Sequence, residues 1–147
     1  MKKLEITIAI LSAIVVVLKI LHIPFAGILT MIILFIFSMS YYFLGFAVLN
    51  NIRLKDILKK DAYQATSHLR IVGTVYFGFA LGTTIYGILM EVIYNQGRFI
   101  LIVGLCYLFI VAVVALVKYL KTHSQFYIEA LVRIAIIGGI GLFFLLY

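Results

Sequence analysis

Apolar residues in this chain come in runs of about twenty, and that length constrains the fold more than any other feature. A helix that crosses a bilayer needs about 20 mostly apolar residues, because lipid cannot satisfy a bare backbone. Five such runs stand at about 4–22, 25–49, 71–94, 99–117 and 128–146. Hydrophobic residues make up 66% of the 147 and charged residues only 12%, too few to solvate the surface of a soluble domain. The pattern predicts an all-α, multi-pass transmembrane helical bundle in a single membrane domain. Five helices are expected and four are the runner-up, since the uninterrupted apolar part of the first run is short and ends at Lys19. The opening "MKK" resembles a signal peptide, but no small-x-small cleavage site precedes the turn at Pro24, so the first run reads as a retained anchor.

The breaks between runs are as informative as the runs. Pro24, the single proline, removes a backbone donor and turns the residue before it away from helix; "HIPFAG", ending at Gly27, is short enough to demand a tight antiparallel hairpin. Residues 50–70 form the one substantial polar segment, a basic connector. Its apolar positions Ile52, Leu54, Ile57, Leu58, Tyr63 and Leu69 follow a helical stripe only in part, so an interfacial amphipathic helix and an ordinary solvated connector both remain open.

Charge sets the orientation. With the N-terminus inside, Lys2, Lys3, Arg53, Lys55, Lys59, Lys60, Arg70, Lys118, Lys121 and Arg133 lie on the inner side, and only Lys19 and Arg98 on the outer. The positive-inside rule then predicts N-terminus in, C-terminus out, in a cytoplasmic (inner) membrane. The formal +7 reports this topology and contact with anionic lipid headgroups rather than nucleic acid.

Lys19 lies three residues before the outer turn and can carry its ammonium to the headgroups along its own stem. His22, Glu91, Asn95, Gln96 and Arg98 fall on the same side, forming a candidate outer polar cluster. Lys19 and Glu91 are either an ion pair or two separately snorkelling end residues. Glu129 and Arg133, four apart at the inner end of the last helix, share a face and can pair locally. His68 and His123 lack the spacing of metal ligands; His22 reads as a turn residue. Cys106 is the only cysteine, which excludes an intrachain disulfide. Ser38 and Ser40 have no acid or base near them in sequence, and no nucleophile with its base, phosphate loop or metal constellation is evident. No metal, cofactor or catalytic residue is expected.

Small residues point to packing. The third run carries Gly78 and Gly82 four apart, with Gly73 and Gly87 flanking and threonines between, a surface that lets another helix backbone approach. The last run offers a second through Ala135, Gly138, Gly139 and Gly141.

The stretch "LKILHIPFAGILTMIILFIFSMSYYFLGF", residues 17–46 or so, resembles the N-terminal hairpin of the GldL-like proteins of Bacteroidota, small membrane proteins related to a gliding-motility protein, in which Lys, His and a Pro or Gly turn recur. Residues 89–105, "LMEVIYNQGRFILIVGL", read as a degenerate second copy of such a turn. The resemblance implies that Lys19 matches the family's helix 1 lysine. The motor member's proton-driven mechanism also needs an intramembrane carboxylate in the second helix and a long cytoplasmic tail. The second run carries no carboxylate, the tail is expected to be missing, and Glu91 is the one carboxylate expected to reach membrane level. Only the hairpin architecture is therefore carried over.

Three functions remain from these readings. The first is a non-catalytic membrane protein that assembles with itself or with other membrane subunits through its glycine faces. The second is a small ion-coupled transporter or proton pathway using Lys19 and Glu91. The third is a membrane enzyme acting on lipid or quinone, for which no catalytic groups are visible.

Overall fold

The computed structural model describes residues 2–57 and 67–146. They form five helices: α1 (Lys2–Ile20), α2 (Ala26–Leu49), α3 (His68–Tyr94), α4 (Arg98–Thr122) and α5 (Gln125–Leu146), with a short 3-10 turn at Leu54–Asp56. No strand occurs among the described residues. The chain is an all-α protein, and four helices are long and apolar enough to cross a membrane: Ala26–Leu49, Arg70–Tyr94, Arg98–Thr122 and Gln125–Leu146. α1 carries Lys2, Lys3, Glu5 and Lys19 within its 19 residues. The middle of the basic connector, including Leu58, Lys59, Lys60, Asp61 and Tyr63, lies outside the described residues, and so does the choice between interfacial helix and solvated loop.

The chain divides into two compact units, Met1–Phe79 and Ala80–Tyr147, with α3 contributing residues to both. In the first unit, α1 and α2 form the hairpin expected at Pro24. After Ile20 the chain closes with the Ile23 N–H donating to the Leu18 carbonyl at 3.1 Å and His22 to Lys19 at 3.0 Å, while His22 takes the left-handed conformation at φ 57. This is the Schellman arrangement, which satisfies carbonyls left open at a helix end. The end of α2 repeats it: Ile52 N–H donates to Ala47 O at 2.8 Å, Asn51 N–H to Val48 O at 3.2 Å, and Asn51 has φ 56.

Two hydrogen bonds set the register of α1 against α2. The Thr30 hydroxyl donates to the Val15 carbonyl at 2.9 Å, and the Tyr41 hydroxyl donates to the Glu5 carboxylate at 2.5 Å. α1 thus runs antiparallel beside α2 through most of its length. At the other face of α2, Gly45 and Gly78 meet backbone to backbone: a Cβ on Gly78 would sit 2.7 Å from the Tyr41 carbonyl and 2.8 Å from the Gly45 Cα. Asn50 adds a polar tie, its side-chain amide donating to Thr74 Oγ1 at 3.0 Å and to Phe46 O at 2.8 Å. Tyr42 packs edge-on to Phe79, with centroids 5.0 Å apart.

The second unit is built the same way. A Cβ on Gly87 would lie 2.8 Å from Leu101 Cα, and one on Gly104 would lie 2.8 Å from Thr84 Cα. These small residues let α3 and α4 approach at van der Waals distance of their backbones. α5 packs more loosely: a Cβ on Gly138 would lie 3.8 Å from a Leu108 methyl, and one on Gly141 would lie 3.2 Å from the Leu105 and Thr84 side chains. Leu81, Ile85, Leu101 and Leu108 are the largest fully buried apolar side chains.

Candidate functional site

Polar groups buried in the helices mark where chemistry is costly to keep and therefore worth locating. In the first unit they lie on one face of α1. Glu5, Ser12 and Val15 are its buried residues, and Lys19 continues the stripe half-buried. Glu5, Ser12 and Lys19 are spaced by seven, two helical turns, so they stay on one face with a drift of about 20° per step. Across from them on α2 stand Tyr41, Ser38 and Thr30, all buried.

Glu5 is buried. Tyr41, which holds it, is eight residues from the α2 end at Leu49, about 12 Å along the axis. Gly78, pressed on the Tyr41 carbonyl, is eight residues from Arg70, again about 12 Å. The Glu5 carboxylate is therefore held against α2 about two turns before that helix ends. Glu91 is thus joined by a second buried carboxylate, one that the sequence reading leaves in the charged start "MKKLE". The seven-residue spacing of Glu5, Ser12 and Lys19 was the signal that could have found it.

Ser12 keeps a buried hydroxyl with no hydrogen-bond partner. Ser38 is fully buried. Thr30 satisfies its own hydroxyl twice, on Val15 O and, at 2.8 Å, on Ala26 O. The Lys19 ammonium lies over the start of α2, 3.9 Å from the Cβ position of Gly27. Lys19, His22, Pro24 and Gly27 thus belong to the hairpin turn.

Glu91 and Arg98, the other half of the expected outer cluster, are brought together in the second unit. Glu91 is buried at the end of α3. One carboxylate oxygen accepts the Gly97 N–H at 2.8 Å, and the other lies 3.5 Å from Arg98 Nε. The carboxylate therefore closes the α3–α4 turn and caps the first turn of α4, where free backbone donors and the helix dipole favour negative charge. Gly97 is required by space: a Cβ there would collide with the Gly87 carbonyl and the Glu91 backbone. Sequence reasoning did not single out this glycine.

The inner pair also forms. Arg133 donates to the Glu129 carbonyl at 3.2 Å and lies 3.7 Å from its carboxylate. Of the expected packing glycines, Gly78 and Gly87 meet neighbouring backbones, and Gly82 is buried. Gly73 and Gly139 have nothing within 4 Å of a Cβ position. His22, His68 and His123 are exposed, and among the described residues no group of three or more His, Cys, Asp or Glu is placed to hold a metal ion. Cys106 is exposed on α4. No family model, curated protein or solved structure matches the chain.

Proposed function

We propose that this chain is a non-catalytic, multi-pass protein of the cytoplasmic membrane that works by helix–helix assembly, with a second copy of itself or with other membrane subunits. The observation that carries this reading is the open glycine of α5. Gly78 and Gly87 are spent on their own neighbours, whereas Gly139 is exposed with no atom near its Cβ position. Ala135, one turn earlier, is exposed as well, and Val132, Ile136 and Ile140 flank the pair.

A bare glycine on a helix interior is about 1 kcal/mol less favourable than alanine, and lipid tails gain nothing from it. A second helix backbone does, because small residues allow close approach. Only 17% of the apolar stretch of α5 is buried, against 61% for α3, which leaves this face available for a partner.

In the same proposal α1 is the fifth span. Its 19 residues reach about 28 Å, close to the hydrocarbon thickness, and its two hydrogen bonds to α2 hold it at the depth of a helix apolar enough to span. The N-terminus is then inside and the C-terminus outside, with ten basic residues against two. The GldL-like resemblance of residues 17–46 extends to the hairpin architecture alone.

The test is crosslinking in native membranes, followed by purification in mild detergent. Gly139→Leu should abolish the oligomer or the co-purifying subunit while leaving thermal stability intact. A wild-type protein that stays monomeric and partnerless, or a Gly139→Leu variant that assembles like wild type, would refute it.

A further inference from the structure

We propose that Phe25 and Phe99 are lipid anchors: each ring lies at the boundary between phospholipid headgroups and acyl chains and fixes the depth of its hairpin in the bilayer. This rests on the reading that the helices span, and it concerns a different surface from the assembly face of α5.

Exposure singles these two rings out. Phe25 is 79% and Phe99 78% exposed, more than any other described large hydrophobic side chain except Leu146 at the end of α5. Each stands where a hairpin turns back, Phe25 immediately before α2 and Phe99 second in α4. Neither ring is spent on the core of its own unit.

Phe25 also holds a backbone that resists it. At φ 64 and ψ -7 it is left-handed, a region that bulky side chains rarely enter. Glycine would take that conformation freely, so a phenyl kept there without reward from the core points to a gain outside the chain.

The neighbouring charges indicate what lies outside. The Lys19 ammonium is 3.9 Å from the Cβ position of Gly27, two residues after Phe25, and the mostly exposed Arg98 directly precedes Phe99. Long basic side chains carry their charge to the level of the lipid phosphates, and aromatic residues beside them bury into the boundary just below. The pairing of cation and phenylalanine occurs at two separate tips, and a lipid surface serves every tip alike. The turn between α4 and α5, residues 122–125, has no apolar residue, so the ring belongs to these two tips and not to every turn.

The protein contains no tryptophan, so single substitutions give clean reporters. Full-length Phe25→Trp, Phe99→Trp and a reference, Phe35→Trp, are reconstituted in phosphatidylcholine–phosphatidylglycerol vesicles whose acyl chains carry bromine near the headgroup or near the chain end. Phe35 is exposed on α2 and ten residues beyond Phe25, about 15 Å deeper and so about half the hydrocarbon thickness. The two tip reporters should be quenched at least about twofold more strongly by the shallow bromines than by the deep ones, as suits rings about 5–10 Å into the boundary. Phe35→Trp should show the reverse, and iodide in the water should quench all three weakly. A tip reporter quenched best by the deep bromines, by iodide alone, or by neither would place its ring among the chain ends, in water or against protein, and each result overturns the proposal. A Phe35→Trp that the deep bromines leave unquenched would overturn the spanning reading, and the anchors with it.

Discussion

Alanine at Gly78 should destabilise the protein, whereas alanine at Gly73 on the same helix should stabilise it. At Gly78 the new methyl would stand 2.7 Å from the Tyr41 carbonyl oxygen and 2.8 Å from the Gly45 Cα. Carbon atoms rest about 3.5–4.0 Å apart, so α2 and α3 must separate by roughly 1 Å, and both obstacles are backbone that no rotamer change can move. Overpacking of this kind costs about 1–3 kcal/mol, against a return of about 1 kcal/mol in helix propensity. The net loss reaches about 2 kcal/mol. At Gly73 no atom lies within 4 Å, and only the propensity gain of up to about 1 kcal/mol remains. The two variants should therefore differ by about 1–3 kcal/mol, and each 1.4 kcal/mol is a tenfold change in the folded-to-unfolded ratio. Reversible unfolding in mixed micelles with rising dodecyl sulfate, followed by circular dichroism, measures both. A Gly78→Ala protein as stable as Gly73→Ala would refute the backbone-to-backbone crossing.

The turn between α3 and α4 yields a graded series in the same assay. Glu91→Ala leaves the Gly97 N–H without its acceptor and should cost about 1–3 kcal/mol; Glu91→Gln keeps an acceptor and should cost less. Arg98→Ala should stay within about 0.5 kcal/mol, because that side chain is 62% exposed and exposed ion pairs contribute little. At the first hairpin, His22→Gly should stabilise by about 1 kcal/mol, since His22 holds a left-handed backbone that costs a side-chain-bearing residue about that much.

What the sequence made legible follows from which interactions are local. Runs of twenty apolar residues announce helices because the requirement is one of length alone, and Pro24 announces the turn because it acts on its own backbone. Helix ends were less legible. α4 continues to Thr122, past the apolar run, because "KYLKT" contains nothing that breaks a helix, and the chain turns only where His123 adopts φ 48. Gly78 could be read as a packing glycine, but its partner Gly45 sits alone in "FLGF" and gives no local sign of the contact. Gly97 looked like a loop residue, and only the folded turn shows that a methyl there would strike the Glu91 backbone. Glu5 was the largest omission. Beside Lys2 and Lys3 it looks like part of a solvated end, and the bond from Tyr41 shows that it is buried instead.

The charges of α1 explain why its role is tied to α2. A helix carrying Lys2, Lys3, Glu5 and Lys19 in 19 residues is a poor span by composition, since each charge at the centre of a bilayer is opposed by at least about 2.5 kcal/mol. The hairpin relieves this in three ways. Lys2 and Lys3 stand exposed at the first turn, where long stems reach the surface. Lys19 folds over the start of α2 beside Gly27, and its place in the last turn of α1 complements the helix dipole. Glu5 alone is taken inward, onto the phenol of Tyr41. Without α2 that carboxylate has no Tyr41 donor, and without the Gly45–Gly78 crossing the Tyr41 backbone loses the contact that braces it. Residues 2–49 therefore act as one hairpin, in which the second helix supplies the donor that the buried carboxylate of the first needs.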